Sequence, residues 1–192
     1  MNITLFGGAF DPPHLGHLQI IISLFEQNLA DEVWLVPTGV HDFDKKMSCA
    51  ETRVKLLELI IGQLPEKYQL KAKIEKCELE REGVSQTAET LDELAKKYPQ
   101  DRFSWVLGSD NLEKFHLWDG YQKILSNYLV YVYPRQNYPM RPLYTGMIPL
   151  TGVREVEASS TEVKKRLKIS QSVMDLLPKS ILDYIVEHKL YL

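Results

Sequence analysis

Two histidines three residues apart, His14 and His17, carry the clearest chemical pattern in this 192-residue sequence. They open a stretch with helical periodicity, so both side chains should face the same side of its first turn. Gly7 and Gly8 precede them at the end of an apolar run, where glycine permits a sharp turn and the close approach of an anion. Imidazoles placed there can donate hydrogen bonds to phosphate oxygens and stabilise the charge of phosphoryl attack. The pattern predicts a phosphate site in which His14 and His17 are the catalytic residues.

Two other interpretations of the histidine pair fit the sequence less well. An isolated His-x-x-His pair could simply cap a helix, but the glycines at the strand end favour a phosphate site. A zinc site would need a third ligand from His41, His116 or His188, none of which stands at a recognisable metal spacing. We therefore expect no metal held by the protein alone.

Alternating strands and helices must position these residues. Apolar runs predict strands over residues 2–6, 33–36, 103–107 and 128–133, with one or two more over 70–79. Helical periodicity predicts helices over residues 15–29, from about 51 to 64, and over 87–98, 159–168 and 178–188. Such alternation implies crossover connections and a parallel sheet covered on both faces. The sequence predicts a single α/β domain over residues 1–192, a doubly wound, Rossmann-like parallel sheet with a helical C-terminus.

Composition narrows the class of protein. A net charge of -3 and a pI near 6.0 give no bulk attraction to nucleic acid or to an anionic membrane. Cys49 and Cys77 lack CxxC spacing, which favours a reducing, cytoplasmic location over a disulfide framework. The apolar stretch over residues 18–25 is too short to span a bilayer. We expect small-molecule partners only, and nothing in the sequence indicates an oligomeric state.

Residues 7–17, Gly-Gly-Ala-Phe-Asp-Pro-Pro-His-Leu-Gly-His, resemble the GGxFDPxHxGH signature of the bacterial nicotinate-nucleotide adenylyltransferases. Further segments are similar to that family's motifs and occur in the same order. They are residues 80–87 with Thr90 and Leu91, residues 108–110 with Phe115 and Trp118, Arg135, residues 159–161, and the closing segment 177–191. Each motif is weak alone, but together they identify a specific pattern along nearly the whole chain.

The resemblance implies an adenylyl transfer of NAD biosynthesis. A pyridine mononucleotide would attack the α-phosphorus of ATP through its phosphate, releasing pyrophosphate and forming a dinucleotide without a covalent enzyme intermediate. Catalysis would rest on positioning and on neutralising negative charge, with Mg²⁺ carried by the ATP.

The resemblance also implies an ATP site. Its residues would be Gly7, Gly8, Ala9, Phe10, His17, Gly108, Asp110, Ser159, Ser160, Thr161 and Lys164. Asp110 could hold a ribose hydroxyl or a metal-bound water, or could instead cap a helix. Ser159, Ser160 and Thr161 open a predicted helix, where hydroxyl and N–H groups could bind the β- and γ-phosphates or serve as ordinary caps.

The mononucleotide would meet a second set of residues. They are Lys45, Lys46, Thr87, Trp118 and Arg135. Trp118 would stack on the pyridine ring and Thr87 would contact it, whereas the lysines and Arg135 would meet a phosphate. For Trp118 the alternative is a place in the core, and for the three cations it is the solvated surface.

Three departures from the family pattern affect these expectations. Lys164 stands where the family has arginine, which keeps the charge but not the bidentate geometry. Arg166, two positions further on, is the alternative cation, although it points elsewhere on a helix. Gln86 replaces the tyrosine of the S-Y-T motif, which weakens any inference about ring selectivity.

Residues 36–46 lack the bacterial Pro-Pro-His-Lys element. They are somewhat similar to the aromatic-x-Lys-Lys loop of nicotinamide-nucleotide adenylyltransferases. The choice between nicotinate and nicotinamide as the ring therefore stays open.

Other functions fit fewer of the motifs. A related HxGH transferase acting on phosphopantetheine or an alcohol phosphate would leave residues 83–87 and Trp118 unexplained. A non-catalytic nucleotide-binding protein agrees with Lys164 but not with two retained histidines. Lys46-Met47-Ser48 resembles the KMSKS loop of class I aminoacyl-tRNA synthetases, yet it follows the second strand, in a chain too short and too acidic for that function.

Overall fold

The computed structural model describes residues 1–39, 47–153 and 158–192 and contains a parallel sheet at its centre. The strands of that sheet are β1 (Asn2–Gly8), β2 (Glu32–Pro37), β3 (Ala72–Ile74), β4 (Arg102–Gly108), β5 (Leu129–Tyr133) and β6 (Met147–Pro149). Their order is β3-β2-β1-β4-β5-β6, and every neighbouring pair is parallel. The chain winds outward from β1 to β3 and then crosses to β4 on the other side of β1. This order confirms the doubly wound α/β prediction and opens a crevice at the carboxyl ends of β1 and β4.

Helices cover both faces of the sheet. They are α1 (Leu15–Glu26), α2 (Ala50–Ile61), α3 (Glu66–Gln69), α4 (Cys77–Glu80), α5 (Thr87–Lys97), α6 (Tyr121–Asn127), α7 (Ser160–Lys168) and α8 (Lys179–Glu187), with a 3₁₀ helix at Ser109–Leu117. The five predicted helices are all present, and α7 and α8 form the predicted helical end. Pro178 lies at the N-cap position of α8, one residue before the helix itself.

The core consists of two apolar clusters, one on each side of the sheet. Because successive strand residues point to opposite faces, Leu5 and Phe6 of β1 enter different clusters. Phe6 packs with residues of α1, α2 and α8, whereas Leu5 packs with residues of α5 and the 3₁₀ helix. The inner strands are buried on both faces, which explains their continuous apolar sequences. Within the described ranges no helix has the length and apolar character needed to cross a membrane.

Several elements differ from the sequence prediction. The possible second strand within 70–79 is wrong, because α4 follows β3 there. The 3₁₀ helix was not predicted, since it buries Ser109, Leu112 and Phe115 at three-residue intervals rather than along an α-helical stripe. Strand β6 exposes two of its three residues at the sheet edge, so it offers no apolar run to detect.

The buried face of α2 includes a cation. Arg53 is buried with Leu56, Leu57 and Ile60, whereas Val54 is only half-buried. The core-facing stripe of this helix therefore contains a charged residue among its apolar ones.

Candidate active site

The histidine pair forms the N-terminal cap of α1. His14 is the N-cap residue, and its Nδ1 accepts a hydrogen bond from the Gly16 backbone N–H at 3.1 Å. His17 Nδ1 accepts one from the His14 backbone N–H, also at 3.1 Å. Together they make a capping box in which imidazoles replace the usual hydroxyl and carboxylate. The helix-capping alternative is therefore realised in the structure, but it uses only one nitrogen of each ring.

Capping fixes the tautomer of both rings. Because each Nδ1 accepts, the proton of each neutral imidazole lies on Nε2. His14 and His17 are 3% and 9% exposed, and their ring centroids lie 3.8 Å apart. Burial, with the nearby charge of Arg135, lowers the pKa of His14 to about 3. Burial also lowers the pKa of His17 well below its usual value, and the charges of His14 and Arg135 add to this effect. At neutral pH the pair therefore offers two neutral Nε2–H donors.

The loop from Gly7 to His14 is fixed by packing from several directions. A side chain at Gly7 would place its Cβ 2.4 Å from the Trp105 ring, so the neighbouring strand β4 already requires glycine there. Phe10 is buried with a backbone φ of 48°, in the left-handed region, and its ring centroid lies 5.0 Å from that of His17. Arg53 donates a hydrogen bond to the Ala9 carbonyl at 3.1 Å. The loop conformation is therefore held by the protein itself.

Both histidines line a cleft at the carboxyl end of the sheet. Its other lining residues are Phe6, Gly16, Gln19, Ile20, Tyr133, Pro134, Arg135, Val153 and Ala158. We call this the histidine cleft. It joins the end of β1 to the end of β5 and the segment before α7, which agrees with the predicted position of ligands at strand ends.

Arg135 and Asp110 meet beside the histidine cleft. Arg135 Nε lies 3.4 Å from Asp110 Oδ1 and makes no hydrogen bond to any described residue. The buried Ser109 accepts a hydrogen bond from the Arg135 backbone N–H and donates one to the Tyr138 carbonyl, both at 2.9 Å. Ser109 thus joins the loops after β4 and β5, a role that was not predicted although it stands between Gly108 and Asp110. Asp110 is not a helix cap, because Gly108 holds the N-cap position.

The hydroxyl groups at the start of α7 serve different purposes. Ser159 Oγ accepts from the Glu162 backbone N–H at 3.1 Å and so caps the helix. Ser160 Oγ donates to the Pro12 carbonyl at 2.9 Å, which attaches α7 to the loop before the histidines. Thr161 is exposed. The capping alternative therefore holds for Ser159, while Ser160 brings the start of the helix next to Pro12.

Lys164, one turn further along α7, forms an ion pair with the buried Asp11. Its ammonium also lies 5.0 Å from the centre of the Tyr191 ring. Arg166 is bound instead to Glu162 and Asp175, at 2.9 and 2.8 Å. Of the two cations considered for the position of the family arginine, Lys164 is the one attached to the loop from Gly7 to His14.

Thr87 and Trp118 lie in a second region, which we call the tryptophan surface (Thr87, Ala88, Trp118 and Gly120). Gly120 packs so closely on Ala88 that its Cβ would lie 2.8 Å from the Ala88 Cβ, which brings the turn after Trp118 against the first turn of α5. Trp118 is half-buried and packs on Phe115 at a centroid distance of 5.1 Å. Lys45 and Lys46 lie outside the described residues.

Comparison with known proteins assigns the chain to a family. The sequence model of the cytidylyltransferase-like family matches residues 5–166. A Bacillus pumilus protein named probable nicotinate-nucleotide adenylyltransferase is 34% identical over 192 residues, covering 99% of this chain and 98% of that protein. A Flavobacterium johnsoniae protein of the same name is 32% identical over 194 residues, covering 100% and 99%. The chain belongs to the nicotinate-nucleotide adenylyltransferase family.

Solved structures agree with this family fold. Nicotinic acid mononucleotide adenylyltransferase of Plasmodium falciparum, complexed with NaAD, superposes with a TM-score of 0.83 at 23% identity, covering 99% of this chain and 97% of that one. A Vibrio parahaemolyticus protein described as a putative nicotinate-nucleotide adenylyltransferase superposes with a TM-score of 0.74 at 22% identity, covering 99% and 94%. The resemblance on which the sequence-based expectations rested is therefore confirmed.

Proposed function

We propose that this protein transfers the adenylyl group of ATP to nicotinate mononucleotide, forming deamido-NAD and pyrophosphate in NAD biosynthesis. One cytoplasmic domain spanning residues 1–192 would carry the whole activity. The observation that supports this most directly is the pair of neutral, buried Nε2–H donors beside Arg135 at the sheet crevice. The curated relatives, named for nicotinate mononucleotide, support the choice of acceptor.

The chemistry is a single in-line displacement. An oxygen of the mononucleotide phosphate forms a bond to the α-phosphorus of ATP, and the bond from that phosphorus to the oxygen bridging to the β-phosphate breaks. The electron pair leaves with pyrophosphate. The attacking phosphate is already anionic and needs no general base, so catalysis reduces to orientation and charge stabilisation.

His14 and His17 would stabilise the transferring phosphate. Their Nε2–H groups would donate to its non-bridging oxygens, and their Nδ1 atoms are held by the helix start, so neither ring has to reorganise during reaction. Arg135 would add a full positive charge from the same cleft, where the reacting phosphates of both substrates meet. A guanidinium donates charge-assisted hydrogen bonds to phosphate oxygens.

The ATP would lie along the loop and the start of α7. The proposed contacts come from the backbone of Gly7, Gly8, Ala9, Phe10 and Gly108, from the N–H groups and hydroxyls of Ser159, Ser160 and Thr161, and from His17, Asp110 and Lys164. Because Ser159 and Ser160 already use their hydroxyls, the N–H groups of the helix start would carry most of the phosphate contact there.

Mg²⁺ would enter with ATP as part of the substrate. Among the described residues, no group of three or more His, Cys, Asp or Glu side chains is arranged to hold a metal ion. Asp110, which lies beside Arg135, would meet either a ribose hydroxyl or a water of that Mg²⁺. The phosphates themselves would supply the direct ligands.

The mononucleotide would extend from the histidine cleft toward the tryptophan surface. Trp118 would stack on the pyridine ring, Thr87 would contact it, and Lys45, Lys46 and Arg135 would meet phosphate. The contacts of the described residues do not distinguish nicotinate from nicotinamide, so the proposed preference for nicotinate is based on the names of the relatives.

A comparison of the two acceptors tests the proposal. Purified protein with ATP and Mg²⁺ should release pyrophosphate with nicotinate mononucleotide at a higher kcat/KM than with its amide. A higher kcat/KM for the amide would contradict the choice of acceptor. No dinucleotide with either acceptor would contradict the proposed reaction.

A further inference from the structure

A network of polar side chains lies behind the histidine cleft, centred on Asp11. This carboxylate is 2% exposed and accepts hydrogen bonds from the Lys164 ammonium, the Tyr191 hydroxyl and the Ser48 backbone N–H, the last at 3.3 Å. Ser48 Oγ donates to the Tyr191 hydroxyl at 3.0 Å. Burial favours the neutral acid, but these donors together lower the pKa of Asp11, so the carboxylate stays charged.

The same network reaches, through Arg53, the loop from Gly7 to His14, which we call the phosphate loop. Its Nε donates to the Ser48 carbonyl at 3.2 Å, and its terminal nitrogen donates to the Ala9 carbonyl at 3.1 Å. Arg53 is 3% exposed, so both bonds are sheltered from water. The result ties the loop, the start of α2, α7 and Tyr191 into one assembly.

We propose that Tyr191 is a positioning residue for ATP binding, acting through Asp11 on Lys164 and on the phosphate loop. This inference rests on the proposed function, because it takes the triphosphate as the ligand of Lys164. A lysine ammonium has three N–H donors on a flexible stem. Asp11 takes one donor, the Tyr191 ring covers one side of the ammonium, and the remaining donors make no hydrogen bond to another described residue, so they would serve phosphate oxygens.

Tyr191 itself does not touch a reacting atom. Its hydroxyl satisfies Asp11, and its ring limits the positions open to Lys164. Without the hydroxyl, part of the cost of ordering Lys164 and the loop would be transferred to the binding of ATP. The affinity for ATP should therefore fall, while the affinity for the mononucleotide should not.

The test is a double-mutant cycle with Tyr191→Phe and Lys164→Met, reading KM for both substrates, kcat, and the Kd of Mg-ATP by calorimetry. Tyr191→Phe should raise KM and Kd for ATP about tenfold, as expected for a lost hydrogen bond to a charged group. KM for the mononucleotide should stay within about twofold. In the Lys164→Met background the same substitution should change the Kd of ATP less than about twofold, because coupled residues are not additive.

Tyr184→Phe is the matched control, since Tyr184 lies on α8 and its hydroxyl makes no hydrogen bond to a described residue. An ATP affinity equal in Tyr191→Phe and Tyr184→Phe would overturn the proposal, as would an equal effect of Tyr191→Phe in both Lys164 backgrounds. A purely structural role would lower the melting temperature and kcat without moving KM for ATP.

Asp11→Asn gives a second variant, with the same selective loss of ATP affinity expected. Because calorimetry needs no turnover, a wild-type protein that binds ATP but forms no dinucleotide would refute the proposed reaction and leave this test intact.

Discussion

The histidine cleft and the tryptophan surface differ in how their side chains are held. In the cleft, hydrogen bonds to backbone N–H groups fix the rings of His14 and His17, and the Arg135 side chain is paired with Asp110 and lies over the Tyr133 ring. On the tryptophan surface, Trp118 is half-buried and the Thr87 side chain makes no hydrogen bond to a described residue. On the proposed function, the reaction would depend on groups that also build the fold, whereas substrate choice would depend on groups that could change without harming it. Reaction and selectivity are therefore expected to respond to different substitutions.

The largest effect is expected from variants that remove an imidazole but keep the cap. His17→Gln and His14→Asn retain side-chain oxygens suited to N3 and N-cap positions, so α1 should stay formed. Loss of one preorganised donor should lower kcat by about 10²–10³. Steady-state kinetics and thermal melting would measure both properties, with His17→Ala as the comparison that also loses the cap. Near-normal turnover of His17→Gln would remove the histidines from the mechanism.

Arg135→Met should be the next most damaging substitution. It removes the guanidinium charge beside Asp110 while keeping much of the length of the side chain, so kcat/KM should fall by about 30- to 100-fold. Arg102→Met is a matched control, because Arg102 is exposed at the start of β4. If the two variants had equal kinetics, Arg135 would belong to the structure of the cleft and not to its chemistry.

The buried histidines also predict a stability that depends on pH. In the unfolded chain a histidine titrates near pH 6.5, whereas His14 in the folded protein has a pKa of about 3. Below pH 6.5 the unfolded chain binds a proton at His14 that the folded protein does not bind. The contribution of His14 to the free energy of unfolding is therefore complete above pH 6.5 and is lost as the pH falls toward 3. At pH 5 this amounts to about 2 kcal/mol.

Urea unfolding at pH 7 and pH 5 would measure that term by difference. Between pH 7 and pH 5, the free energy of unfolding should fall by about 2 kcal/mol less for His14→Asn than for the wild type, since all other titrating groups are shared. Equal losses in the two proteins would mean that His14 is not held neutral by the fold.

A smaller and more selective effect is expected at the tryptophan surface. Trp118→Leu should raise KM for the mononucleotide about tenfold through loss of ring stacking, with KM for ATP and the melting temperature little changed. Trp118→Phe should recover part of the affinity, because it keeps an aromatic face. An equal rise in both KM values would erase the distinction between the two regions.

Local spacing was enough to predict β1 to β5, the five longer helices and the histidine pair at a helix start, because strand ends, glycines and caps follow from nearby residues. Contacts between distant segments were not predictable in this way. Asp11 and Tyr191 are 180 residues apart, and nothing in either short motif indicates their hydrogen bond. Trp105 on β4 requires glycine at position 7 for steric reasons, a contact that the local motif does not indicate.

Buried polar residues were the other omission. Arg53 occupies a core-facing position on α2 at the spacing of Leu56, Leu57 and Ile60, so a cation on an apolar stripe was the signal available in the sequence. Ser109 offered no more than its place between two predicted site residues. The prediction for Lys45 and Lys46 stays a prediction, since both lie outside the described residues.

The most direct test of the central claim follows the α-phosphate of ATP. With ATP labelled at that phosphorus, wild-type protein, Mg²⁺ and nicotinate mononucleotide should place the label in the dinucleotide and none in the released pyrophosphate. His17→Gln should do so at least about 10²-fold more slowly while remaining folded. Label recovered only as free AMP, or transfer by His17→Gln at the wild-type rate, would contradict an adenylyl transfer centred on the histidine cleft.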